Sequence, residues 1–138
     1  MPIEVINAIE FAHEKLRRTV VINTKKFHSW VHYYKPGQHD EMHCHNEDQT
    51  FIILEGECTM KFPDGGASVL KPGMMATITG GSFYQLNNLT DAPLVMIGNR
   101  SGSQNTTLKI DYVTRKPLNE GGFRDLAVTE TEPVAVST

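Results

Sequence analysis

The chain has 138 residues, enough for one domain, with 39% apolar and 21% charged residues and a formal net charge of -3. That balance excludes a disordered chain, and basic runs no longer than Arg17-Arg18 and Lys25-Lys26 exclude the clustered patch of a nucleic-acid binder. No stretch approaches the roughly 20 apolar residues of a membrane helix. Met1 to Glu10 has neither the charged nor the apolar region of a signal peptide, and two cysteines, Cys44 and Cys58, suit a reducing compartment. A cytoplasmic protein without nucleic-acid or membrane partners is expected.

From the N-terminus, Ala8 to Arg17 is the one helical segment, with Ile9, Phe11, Ala12 and Leu16 on one face. Residues 1–24 make an N-terminal arm holding this helix and the apolar run Val20-Val21-Ile22. Short extended runs follow: Phe27 to Lys35, Glu41 to His45, Gln49 to Glu55, Glu57 to Phe62, Ala67 to Lys71, Met74 to Thr79, Phe83 to Asn88 and Leu94 to Arg100. Turn signals separate them, among them Pro36-Gly37, Gly56, Pro63-Asp64-Gly65-Gly66, Pro72-Gly73 and Gly80-Gly81. The runs are rich in β-branched and aromatic residues and mostly alternate apolar with polar, the period of half-buried strands. Many short strands at even spacing predict an all-β sandwich or barrel. A last strand is predicted within Leu108 to Arg115, which closes a barrel spanning residues 25–115. The tail, residues 116–138, has no periodicity.

Chemistry concentrates between Gly37 and Gly56. Residues two apart on a strand share a face, so His43 and His45 present two imidazoles side by side, as a metal pair needs. A turn after Asn46 would return Gln49 on the next strand as a third donor, leaving open positions for substrate or water. Cys44 alternates with the histidines and should point away from them.

This stretch resembles the first motif of the cupin superfamily: Gly, five residues, His-x-His, three or four residues, Glu, six residues, Gly. Gly37, His43, His45 and Gly56 match it, with Gln49 in the Glu position. The second motif, Gly, five residues, Pro-x-Gly, two residues, His, three residues, Asn, is matched at Gly73, Gly81 and Asn88. Thr79 stands in place of Pro and Tyr84 in place of His. The resemblance implies a single-domain cupin, a double-stranded β-helix or jelly-roll barrel with a short N-terminal helix or arm. It also implies one divalent transition metal per chain, iron or manganese first, with zinc or nickel open. His43 and His45 would bind it, with Gln49 and Tyr84 at the remaining ligand positions. A homodimer formed through an edge strand, with Val20-Val21-Ile22 as the exchanged segment, is the family-based expectation.

Individual residues carry alternatives. Gln49 is a ligand or a hydrogen-bonding filler of the barrel. Tyr84 is a ligand or a general acid/base, because a bound cation lowers a phenol's pKa, or else a wall tyrosine bonded elsewhere. Phe51, Ile53, Phe62, Leu86 and Met96 are expected to line the space for a small-molecule substrate. His39, Glu41 and Glu47 are expected at the solvated rim, and His28 and His32, which share a face with Trp30, at the surface, with an interface or the barrel mouth as the alternative. The first functional expectation is an oxygenase-type, dioxygenase-like oxidoreductase reaction on a small organic molecule. A non-redox, metal-dependent isomerase, cyclase or lyase stands beside it, as does a non-catalytic cupin that binds a small ligand.

Overall fold

The structure, a computed structural model, describes residues 3–118 and 128–129. One helix precedes the strands. Helix α1 (Ala8–Lys15) starts where Asn7 accepts a hydrogen bond from the Glu10 amide at 3.1 Å, and stops where Leu16 turns left-handed at φ 57°. Ala8, Phe11 and Ala12 pack against Val31, Tyr33, Leu54 and Val95. Ile9 and Leu16, expected on the same face, are exposed, because the helix ends before Leu16 can join the stripe.

The strands are β1 (Thr19–Asn23), β2 (Phe27–Tyr34), β3 (His43–His45), β4 (Gln49–Glu55), β5 (Cys58–Lys61), β6 (Ala67–Leu70), β7 (Met75–Ile78), β8 (Gln85–Asn87), β9 (Leu94–Ser101) and β10 (Lys109–Asp111). A five-stranded sheet runs β1-β2-β9-β4-β7, faced by the ladders β6-β5-β8 and β10-β3. Paired amides and carbonyls of His43 and Tyr84 join the two ladders, at 3.0 and 2.9 Å. The expected all-β barrel with a short N-terminal helix is what the chain forms. Strand β1 lies at the edge of the large sheet and pairs with β2 of its own chain. No helix among the described residues is long and apolar enough to cross a membrane.

Strand alternation builds the interior. Along β4, Gln49, Phe51 and Ile53 are buried while Thr50 and Ile52 are half-buried. Along β9, Leu94, Met96, Gly98 and Arg100 take the same inward parity. Trp30, Tyr34, Ile53, Leu86, Leu94 and Met96 form the packed centre of the core, and burying each such side chain contributes about 1.5–3 kcal/mol. Gly98 is required here: a Cβ at this position would lie 2.2 Å from the Trp30 ring. Asn88 closes the opposite end. Its amide donates to the carbonyls of Tyr34, Lys35 and Ala92 while its oxygen accepts from Thr90, all from a fully buried position.

Candidate functional site

Register decides which side chains meet. Arg100 on β9 pairs with Gln49 on β4 and with His28 on β2, so three inward positions form one rung across the sheet. The next rung is Phe51, Gly98 and Trp30. From the opposing ladder β3 contributes His43 and His45, and Tyr84 sits beside them, its ring 4.7 Å from that of His43.

Arg100 is the hub. Its Nε donates to Gln49 Oε1 at 2.9 Å, its Nη1 to His28 Nε2 at 3.2 Å and its Nη2 to His45 Nε2 at 3.1 Å. The guanidinium also lies 4.5 Å from the centre of the Trp30 ring. Gln49 passes the network on, donating to the Tyr84 hydroxyl at 2.8 Å. The imidazoles are held from behind. Nδ1–H of His28 meets the Gly102 carbonyl at 2.9 Å, that of His43 the Glu41 carbonyl at 2.5 Å and that of His45 the Leu108 carbonyl at 3.0 Å. A carbonyl only accepts, so it fixes the proton on Nδ1 and turns each Nε2 lone pair inward. The Nε2 atoms of His43 and His45 are 3.1 Å apart.

Burial dominates the protonation equilibria. It pushes His28 and His43 down to about 4, with the Arg100 charge adding to the effect. His45 falls far below the ordinary imidazole value for the same reasons. Arg18 and Arg100 drop to about 10, chiefly by burial, and remain charged at neutral pH. Burial raises the Tyr84 phenol well above its usual value, so it stays protonated. Asp40 is lifted to about 6 by burial, against the Leu86 amide, Lys109 and the Tyr34 hydroxyl, which all pull it down.

Arg18, Asp40, His43, His45, Tyr84 and Arg100 border one cavity of about 150 Å³. Arg18, Arg100 and Lys109 supply its positive charge, and Asp40 is its carboxyl. Arg18 donates to Gln104 at 2.6 Å and lies 4.4 Å from the Trp30 ring, which both guanidiniums therefore share. Trp30 is 1% exposed and its Nε1–H has no hydrogen-bond partner.

His43, His45, Tyr84, Phe51 and Leu86 line the cavity, whereas Gln49 lies behind it against Arg100. Ile53 and Met96 are fully buried in the core, and Phe62 packs from outside along a groove with Met60, Leu70 and Phe83. His28 and His32 are not at the surface that was expected first: His28 is fully buried in the Arg100 network, and His32 lines the cavity, nearer the alternative of the barrel mouth. The parity they share with Trp30 points into the barrel. Cys44 is buried, and Glu47 accepts from the Ser101 hydroxyl at 2.7 Å. Arg18, Asp40, Arg100 and Lys109 have no place in the sequence motifs. One signal for Arg100 was available: it is the charged end of the inward series Leu94, Met96, Gly98.

The divalent ion implied by the motifs was tested against this donor set. The two anchored imidazoles with converging Nε2 atoms favour it. The other groups do not. Arg100 already engages His45 Nε2 and Gln49 Oε1, Tyr84 is held as a neutral phenol, and no group of three or more His, Cys, Asp or Glu side chains among the described residues is placed to hold a metal. Two like unit charges about 4 Å apart cost about 4 kcal/mol at an effective dielectric of about 20, and the one carboxyl on the cavity, Asp40, is already engaged by the Leu86 amide and the Tyr34 hydroxyl. The residues present do not fit the divalent centre.

The architecture matches known proteins while the sequence has drifted far. No curated protein matches the chain in sequence. A Klebsiella pneumoniae protein with a double-stranded β-helix domain superposes with a TM-score of 0.66 at 19% identity, covering 78% of this chain and 96% of its own. A cupin domain from Bordetella pertussis gives 0.55 at 22% identity, covering 62% and 92%. The polyketide cyclase RemF from Streptomyces resistomycificus gives 0.57 at 17% identity, covering 61% and 63%. Some of the structural neighbours are thus enzymes, but identities this low carry the fold alone. The cupin domain family model matches residues 30–98, the half of the chain that holds Trp30, both histidines of the motif and the strands framing the cavity, and the chain belongs to the cupin domain family.

Proposed function

We propose that this cupin holds a small organic acid in its barrel cavity and moves a proton on it, in an isomerase- or lyase-type reaction. Trp30 carries the reading. Its buried indole N–H has no acceptor, and it sits where two guanidiniums share its ring. An unmet buried donor costs about 1–3 kcal/mol. A carboxylate would offset that cost and the repulsion between Arg18 and Arg100, which adds to burial in lowering the Arg18 pKa. Arg18 spends one of its five N–H donors on Gln104, so four remain for such an anion. Phe51 and Leu86 provide an apolar wall, and about 150 Å³ suits a body no larger than a single ring.

The proton step uses groups that are already polarised. Neutral His43 accepts a proton at Nε2 from the carbon beside the carboxylate, and its Nδ1–H bond to the Glu41 carbonyl stabilises the imidazolium formed. Asp40, lifted to about 6, lies closer to neutral pH than an ordinary carboxyl and can pass a proton to the substrate. The oxygenase and the metal-dependent isomerase, cyclase or lyase both need a divalent ion on His43 and His45, which the donor set does not favour. The non-catalytic binder shares the ligand class and is separated by the second stage of the test.

Thermal melts in EDTA with single-ring and short aliphatic acids, each beside its amide, test the ligand class. At least one acid should raise the melting temperature and its amide should not, and Arg18→Met should weaken binding about tenfold or more. Proton NMR of that acid in deuterated water then reads exchange of its α-hydrogen, which should vanish in His43→Ala. Binding without exchange would leave a binding protein, and no stabilisation by any acid would overturn the reading.

A further inference from the structure

We infer that Arg100 is a built-in cation, which takes up the donors that a divalent ion would need and so closes the His43–His45 pair to metals. The acceptors around the guanidinium are two imidazole nitrogens and one carboxamide oxygen, from His28, His45 and Gln49. This is the kind of neutral donor set that binds a mid-row metal ion. Every one of these lone pairs is aimed by a partner behind it: Gly102 for His28, Leu108 for His45, and the Tyr84 hydroxyl for the far side of Gln49. The tautomers are therefore fixed for a cation, and the cation in place is covalently part of the chain.

Two further features hold it there. The register sets Arg100 between Gln49 and His28 on neighbouring strands, so its head group cannot leave without giving up the hydrogen bonds to both. Gly98, the preceding inward residue, leaves room for the Trp30 ring on which the guanidinium lies. The planar fork of arginine matches three separated acceptors at once, which a lysine ammonium would not. The neutral glutamine at position 49 suits the same arrangement, since it accepts from Arg100 Nε and donates to the Tyr84 hydroxyl. This inference stands apart from the organic-acid reading.

The test is metal uptake. Chelator-stripped wild type, Arg100→Gln and the double variant Gln49→Glu/Arg100→Gln are titrated with Zn(II) and Mn(II) by calorimetry, and their metal content is read by mass spectrometry. Circular dichroism confirms folding. Wild type should show no uptake that His43→Ala abolishes. The double variant, with the cation removed and an anionic donor restored, should bind at least about a hundredfold tighter, and His43→Ala should remove that binding. Wild-type uptake that depends on His43 would overturn the inference, as would a folded double variant binding no better than wild type. If the Arg100 variants fail to fold, wild type against His43→Ala decides the question in both directions. The acid-binding melts run in EDTA, so wild-type metal uptake would remove this inference and leave the organic-acid reading intact.

Discussion

Lowering the pH from 7 to 5 should unfold this protein, because its barrel keeps several imidazoles neutral. Burial, reinforced by the Arg18 and Arg100 charges, takes His28 from 6.5 to about 4. Burial with Arg18 and Lys109 takes His32 to about 3, and burial takes His43 to about 4, with Lys109 and Arg100 adding to it. Their folded pKa values lie below the unfolded one, so the stability they allow is complete above pH 6.5. It is then lost as pH falls towards 4, because the unfolded chain binds the protons first. At pH 5 the gap is 1.5 units below 6.5, or about 2 kcal/mol for each histidine and about 6 kcal/mol for the three. His45 adds to the loss in the same direction. Asp40 opposes it. Raised from 3.8 to about 6, it is protonated in the fold and ionised in the unfolded chain at pH 5, which returns about 1.4 kcal/mol. A net loss of about 5 kcal/mol equals the whole stability of many domains. Urea melts at half-unit pH steps, in buffers without carboxylates because the cavity is expected to take acids, should show a slope of two or more protons between pH 6.5 and 5. His28→Gln should reduce that slope by about one proton. A change below about 1 kcal/mol over this range would refute the reasoning, and with it the burial of these neutral imidazoles.

Three other predictions concern packing and hydrogen bonds. Gly98→Ala forces a methyl to within 2.2 Å of the Trp30 ring. It should cost about 1–3 kcal/mol in urea melts and shift the Trp30 fluorescence, since Trp30 is the only tryptophan. Asn88→Ala strands three carbonyls and should cost about 2–4 kcal/mol, while binding of a stabilising acid to the folded fraction stays unchanged. Tyr84→Phe removes the acceptor of the Gln49 amide and should destabilise by about 1–3 kcal/mol. Its effect on acid affinity should stay within about threefold, because Arg18 and Arg100 hold the anion.

The strand pattern was legible because it is local. A period-2 alternation declares which face is inside wherever the strand ends up, and turn residues mark where each run stops. Phe51, Ile53, Leu86 and Met96 were recognisable as interior residues on that basis, while Phe62 is only partly buried against the core, and His43 and His45 were recognisable as a pair on one face. The same alternation placed His28 and His32 with Trp30. It did not say that this face is the inside of the barrel, because a polar residue on a strand ordinarily marks the solvated side. Leu16 shows the converse limit: its spacing fits the helix stripe, but the helix ends at Lys15 in a left-handed cap.

The sequence by itself determined the architecture: two glycine-framed motifs, short alternating strands and an inward histidine pair are properties of neighbouring residues. Tertiary structure alone decided what the histidine pair faces. Arg100 lies 51 residues from Gln49, 55 from His45 and 72 from His28 along the chain, and they meet only because β9 pairs between β2 and β4 while β3 closes over them. A register set by the whole sheet carries no local signature. A one-residue slip would turn Arg100 outwards, and the pattern of apolar and polar residues does not show how that cation, rather than a carboxylate, comes to meet the imidazoles.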